Sequence, residues 1–209
     1  REYLDPVRYI SNESSGKQGY EIALALNKMG INTTLITGPT NLTYQKGLKI
    51  RKIITADEMY EEVKRALPVD IAICAAAVSD FKPLEKNNNK IKKNQNKIKQ
   101  IQFKENKDIL EFLGKNNKHR PRIVVGFSAE TENLNKNANY KLRNKNCDLI
   151  IANEISKKNR GFNSEYNRVL IIDSNGKAKL VKKNKKSFIA NKIAEAVLDK
   201  LLVDDRNFN

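Results

Sequence analysis

With 209 residues, 39% of them apolar, the chain is long enough to bury the core of one large domain and too apolar for a disordered polymer. It has no apolar run near the ~18 residues of a membrane span, no signal peptide is expected from its opening residues, and its two cysteines, Cys74 and Cys147, lie beside apolar runs without metal or disulfide spacing, so reduced thiols and a cytoplasmic location are expected. The formal net charge of +16 would suit a polyanionic partner, but Lys and Asn are scattered along the whole chain, which also reads as a residue bias that leaves the extra lysines on solvated faces.

In chain order, "VRYIS" leads into the loop "NESSGKQG" and then "YEIALALNKMG", whose apolar residues Ile22, Leu24, Ala25, Leu26 and Met29 recur at helical spacing up to Gly30; this predicts a helix with a glycine stop. "INTTLITG" and "LKIRKII" are β-branched or alternating and predict two strands. Thr55 and Glu58 form a capping box for the helix "ADEMYEEVKRAL", closed by Pro68. The continuous apolar run "VDIAICAAAV" predicts a central parallel strand covered on both faces. Residues 86–100 lie in a Lys- and Asn-rich stretch of low complexity and predict a loop or extended arm. Beyond it, "RIVVGFSA" and "CDLIIAN" predict buried strands around a helix, "NLNKNANYKLRNK". "RVLIID", "SNG" and "KAKLV" predict a β-hairpin, and "SFIANKIAEAVLDKLL" a closing amphipathic helix. The alternation predicts a single α/β domain, Rossmann-like and doubly wound, with a mostly parallel sheet and a terminal hairpin.

The glycine loop is not a P-loop, since Ser11 stands where the first glycine belongs and Gln18 replaces the magnesium-binding hydroxyl. The dinucleotide fingerprint matches only at Gly16 and Gly19, with Ser14 in the first glycine's place, and "LITGPTN" supplies no acid for a ribose, so a nicotinamide enzyme is not expected. Ligands of doubly wound sheets sit beyond the strands' carboxyl ends, which singles out residues 12–19, 75–80 and 127–133. Asp80 reads as a magnesium ligand between phosphates, or as a solvated turn residue. Lys90, Lys92 and Lys93 offer mobile charges for a triphosphate, or a solvated run. Lys141 and Lys145, four residues apart, are expected together on the side of their helix opposite Leu134 and Ala138, where an anion would relieve their repulsion. His119 reads as a surface residue, Asn12 and Asn133 as neutral groups able to orient an acyl or phosphate group, and nothing resembles a Ser-His-Asp triad or zinc site.

Taken together, "DPVRYISNESSGKQG", "AAAVSDFKP", "KIKK", "VGFSAETENL", "KLRNKNCDLIIAN" and "GFNSEYN" stand in one order and spacing over nearly the whole chain. In this the sequence resembles the phosphopantothenoylcysteine synthetases of coenzyme A biosynthesis, whose bacterial form is usually the C-terminal half of a bifunctional protein. The resemblance implies a homodimer that joins 4'-phosphopantothenate to L-cysteine with CTP and Mg2+, through an acyl-cytidylate, releasing pyrophosphate and CMP. It implies a CTP site of Asp80, Lys90, Lys107, Asp108, Ile109, Leu110, Phe127, Lys141 and Lys145. It further implies that Asn12 handles the acyl-cytidylate, with Arg8 and Lys90 nearby, and that Ser14, Ser15, Gly16 and Gly19 form a phosphate or substrate loop. Two departures stand out: "NKD" at 106–108 replaces the family's usual "NPD", and the family's first strand and "GPT" turn precede the match to Arg1. The flavin-dependent decarboxylase half, fused or separate, lies outside the match, so no FMN is expected in this chain. The rival expectations are a basic nucleic-acid-binding module, from the charge and the arm, and an inactive relative that keeps nucleotide affinity.

Overall fold

The apolar runs of the second half of the chain become the centre of the sheet. In the computed structural model, which describes residues 1–92, 101–116, 118–130, 132–154 and 164–206, the order is β1 (Glu2–Asp5), β2 (Arg8–Ile10), α1 (Lys17–Lys28), β3 (Thr34–Thr37), β4 (Lys49–Lys52), α2 (Ala56–Ala66), β5 (Ile71–Cys74), β6 (Phe81–Pro83), β7 (Phe103–Glu105), α3 (Ile109–Lys115), β8 (Ile123–Glu130), α4 (Leu134–Asn144), β9 (Leu149–Glu154), β10 (Tyr166–Asp173), β11 (Ala178–Lys185) and α5 (Lys186–Arg206). The main sheet has five strands in the order β11-β10-β9-β8-β5. β5, β8 and β9 run parallel, with Ile71 opposite Ile123 and Val125 opposite Leu149; β10 is antiparallel to β9, and the predicted hairpin adds β11. The doubly wound α/β expectation therefore holds, with a sheet that is mixed.

Period-2 alternation divides the core into two layers. Ile123, Val125 and Ile151 face α1 and α5, where they meet Ile22, Leu26, Ile189, Ile193 and Val197. Val124, Ile150 and Ala152 face the other way, against Leu110 and Leu113 of α3 and Ala138 and Leu142 of α4. Each such aliphatic side chain contributes about 1.5–3 kcal/mol relative to exposure, so these layers fix where the loops beyond β8 and β9 emerge.

The run 69–78 departs from expectation. Its strand, β5, covers only Ile71–Cys74, is half-buried throughout, and forms the edge of the five-stranded sheet, not its centre. β3 and β4 pair only with each other, in a separate parallel sheet, so β8 is the sole ladder partner of β5 among the described residues. An apolar run reports that helices cover both faces of a strand; it carries no information about neighbours in the hydrogen-bonding direction.

Three elements were not expected: the β1–β2 hairpin, the β6–β7 pair and α3. The β6–β7 pair is the stem of the Lys/Asn-rich arm, joining Phe81 to Glu105 and Pro83 to Phe103; residues 93–100, including Lys93, lie outside the described residues. The capping box on α2 is shifted. Thr55 Oγ1 accepts from the Glu58 amide at 3.2 Å as expected, but the Glu58 carboxylate accepts from Ile54, while the Ala56 amide is taken by the buried carboxylate of Glu2.

Candidate functional site

The loop that enters α1 is shaped by its own side chains. Gly16 caps the helix at φ +70°, and a Cβ there would lie 2.6 Å from Thr40 Cγ2, so both backbone and neighbour require glycine. Gly19 differs: its Cβ would make an ordinary 3.5 Å contact with Ala75. Ser14 Oγ accepts from the Gly16 amide at 3.2 Å and Ser15 Oγ from the Lys17 amide at 3.4 Å, so both hydroxyls turn the loop locally. Lys17 forms an ion pair with Glu165, which brings the segment before β10 to the start of α1.

A relay of hydrogen bonds joins this loop to the ends of the parallel strands. Asn12 is exposed, and its Nδ2 donates to Val78 O at 3.0 Å in the loop after β5. Two residues on, Asn106 takes over: its amide donates to Asp80 O and its Nδ2 to Ser79 O, both at 2.8 Å. Asn106 Oδ1 is the one buried side-chain polar atom without a hydrogen bond among the described residues. Asp108 caps α3 through the Glu111 amide at 2.8 Å, and its other oxygen lies 3.0 Å from Lys145 Nζ. Lys145 also donates to Glu111 at 2.7 Å, and Lys141 Nζ donates to Phe127 O at 2.8 Å, within β8.

This corrects the expected helix face. Lys141 and Lys145 do not lie opposite Leu134 and Ala138: at 100° per residue, a seven-residue step returns to within ~20° of the same stripe. Both ammonium groups turn inward, toward β8 and α3, and separate acceptors hold them. Lys145 already has two carboxylates about it. Lys141 donates to a carbonyl oxygen, which leaves ammonium hydrogens to offer an anion.

The remaining expected residues sort by exposure. Ile109 and Leu110 are buried, Leu110 lying over Gly126, so their side chains serve packing and only their backbone can face a ligand. Phe127 is half-buried against the core. Lys107 Nζ lies 4.4 Å from the Tyr60 ring centroid and 3.6 Å from Glu61, which directs it toward α2. Asp80 and Lys90 are exposed at either end of the stem and arm root. His119 is exposed, its amide bonded to Asn116.

Arg8 is engaged in a clamp that the sequence did not reveal. Its Nε donates to Asp5 Oδ2 at 2.9 Å, and its Nη2 bonds both that carboxylate and, at 2.7 Å, Ile91 O. Asp5 is fully buried and also accepts the amides of Val7, Arg8 and Ile91. The hydrogen bond from Arg8 outweighs burial and holds the Asp5 carboxyl well below the usual carboxylate range. Asp-Pro-x-Arg in "DPVR" was the available signal: an acid and an arginine three residues apart across a turn.

Among the described residues there is no grouping of three or more His, Cys, Asp or Glu able to hold a metal. Asp80 alone suits only a magnesium ion carried in by phosphate oxygens, the mode in which that ion takes one or two protein carboxylates. Burial pushes the Cys74 and Cys147 thiols up to about 12, which disfavours the thiolate, the form that reacts or binds metal. No helix among the described residues is long and apolar enough to cross a membrane.

The model of one family, described as the DNA/pantothenate metabolism flavoprotein C-terminal domain, matches residues 1–201. The chain is 42% identical over 198 residues to the coenzyme A biosynthesis bifunctional protein CoaBC of Haemophilus influenzae, covering 94% of this chain and 49% of that protein. It is 44% identical over 174 residues to the protein of the same name from Borreliella burgdorferi, covering 82% of this chain and 43% of that protein. The chain thus spans about half the length of the curated relatives it matches. A crystal structure of the C-terminal domain of a CoaBC protein superimposes with a TM-score of 0.80 at 30% identity, covering 98% of this chain and 91% of that one.

Proposed function

The chain belongs to the family of the DNA/pantothenate metabolism flavoprotein C-terminal domain, and from that premise we propose that it is a coenzyme A biosynthesis ligase domain that joins 4'-phosphopantothenate to L-cysteine with CTP. In the first step the phosphopantothenate carboxylate attacks the α-phosphorus of CTP; a P–O bond forms and pyrophosphate leaves. In the second, the cysteine amine attacks the acyl carbon, an amide C–N bond forms, CMP leaves with the electron pair of the broken C–O bond, and the amine loses a proton.

One observation carries this reading: the relay from Asn12 through Val78, Asn106 and Asp108 to Lys145 gathers residues from four separate segments around the loop that follows β5. Chemistry of this kind depends on positioning and on neutralising phosphate charge. Lys141, with hydrogens to spare, supplies positive charge beside Phe127, Lys145 supplies it at the start of α3, and Lys90 supplies it from the arm. Asn12 contributes a neutral amide, which orients a mixed anhydride without competing as a nucleophile. Ser14, Ser15 and Gly16 hold the loop that carries Asn12. Magnesium, when bound with the triphosphate, offsets charge there, and Asp80 is the carboxylate that would hold it. The ligase is proposed to act as a homodimer and beside a phosphopantothenoylcysteine decarboxylase, in keeping with relatives that are twice its length and named bifunctional.

The test is pyrophosphate release from folded protein, with CTP and ATP compared. Release that requires phosphopantothenate and CTP together supports the proposal; none under any combination sinks it. Asn12→Asp is expected to form the acyl-cytidylate and to pass it slowly to cysteine. Equal slowing of both half-reactions counts against the role given to Asn12.

A further inference from the structure

We infer that Asp5 is a positioning residue for Lys90, acting through a clamp on the peptide groups of Ile91; the functional half of this inference rests on the nucleotide-binding reading of Lys90 proposed above. Asp5 ends β1 and is fully buried, although nothing in the reaction requires a carboxylate at that place. It accepts from the amides of Val7 at 2.9 Å, Arg8 at 3.0 Å and Ile91 at 3.2 Å, and from Arg8 Nε at 2.9 Å. Arg8 Nη2 completes the pairing and donates to Ile91 O at 2.7 Å. Ile91 is therefore held at both its N–H and its C=O, as a neighbouring strand would hold it.

The segment so held is the root of the arm. Ile91 is itself 5% exposed, whereas Lys90 and Lys92 on either side are exposed. A hydrophobic side chain alone would let the backbone rotate about it; adding both peptide bonds fixes the direction in which residue 90 leaves. The same hairpin leads from Arg8 through Ile10 to Asn12. Asp5 thus ties the lysine of the arm to the loop of the acyl-handling asparagine, two groups 78 positions apart in the sequence. A buried carboxylate is tolerated only with its donors in place, so the two ends of the clamp hold or fail together.

Limited trypsin digestion reads the clamp without reference to function, because the Lys90–Ile91 bond must leave its anchored position to be cut. In Asp5→Asn, below the thermal midpoint, cleavage after Lys90 should accelerate about tenfold or more relative to cleavage after the exposed Lys118. The KM for CTP should rise about tenfold, and Lys90→Ala, which weakens CTP in the wild-type background, should add little in the Asp5→Asn background. If Asp5→Asn does not fold, Arg8→Lys carries the same comparisons, since it keeps the charge and loses the planar fork. Unchanged cleavage after Lys90 overturns the clamp. Additive effects of Asp5→Asn and Lys90→Ala overturn the positioning. If Lys90→Ala leaves the wild-type enzyme unaffected, the reading of Lys90 falls and takes the functional half with it, while cleavage still decides the clamp.

Discussion

Lys145 owes its position to two acids, and this makes its placement sensitive to pH. Glu111 is bonded by Lys115 and Lys145, in that order of effect, and its carboxyl is held down to about 2 from an ordinary 4.5. A depressed carboxylate stabilises the fold above its unfolded value, and that stability is lost as pH falls through the folded one. Lys145 is raised above 10.5, first by Glu111, so its share is present below 10.5 and lost as pH climbs past it. Glu111→Gln should therefore flatten the fall in urea midpoint between pH 4.5 and about 2. An acid limb identical to that of the parent would show the pair to be without consequence. Neither lysine's orientation followed from composition. Their spacing was visible, but their face was misjudged because the stripe through Leu134, Ala138 and Lys141 is one stripe. Asn12 drew no attention on residue type alone in so Asn-rich a chain; only its place within the ordered motifs marked it. Asp5 was hidden for another reason, since burial of an acid is decided by partners as distant as Ile91.

Elements of eight or more residues with a clear period, such as α1, α4 and β8, were legible because their apolar side chains repeat over several turns or pleats. α3 was not. It has seven residues, "ILEFLGK", too few to show a stripe, and its role is visible only in what it touches. A Cβ on Gly114 would fall 1.9 Å from Lys145 O and 3.0 Å from Asn146 O. Those atoms are backbone at the end of α4, and Arg120 fastens the same junction, bonding Gly114 O at 3.0 Å, Asn146 O at 2.8 Å and Asp148 at 2.9 Å. With nothing free to yield, Gly114→Ala should push α3 outward and cost about 3 kcal/mol, the upper part of the usual range for overpacking. Because Glu111 travels with α3, the KM for CTP should rise in the same variant. A loss under about 0.5 kcal/mol by urea unfolding, as for an ordinary surface change, would mean that the α3–α4 junction is looser than its contacts indicate.

At the scale of the whole molecule, the sheet is firmest away from the first half of the chain. Val124, Val125, Ile150, Ile151 and Ile172 have no exposure, while every residue of β3 and β5 is half-buried. The alternation of strands and helices announced the α/β class, but strand order is set by pairings that no local pattern encodes, which is why β5 was expected at the centre. Its edge position has a residue-level consequence. The Ile123 amide donates to Asp70 O at 3.0 Å and Ile71 stands opposite Ile123, so the parallel ladder directs the amides of Ala72 and Cys74 toward β8. Those of Ile71 and Ile73 point the other way, where β5 has no ladder partner among the described residues. Native-state hydrogen exchange should thus find Ala72 and Cys74 protected nearly as well as Val124 and Ile150, and Ile73 exchanging far faster than either neighbour. Equal protection along β5 would mean that a further strand covers this edge in solution, and the separate β3–β4 pair would then be joined through it to the main sheet.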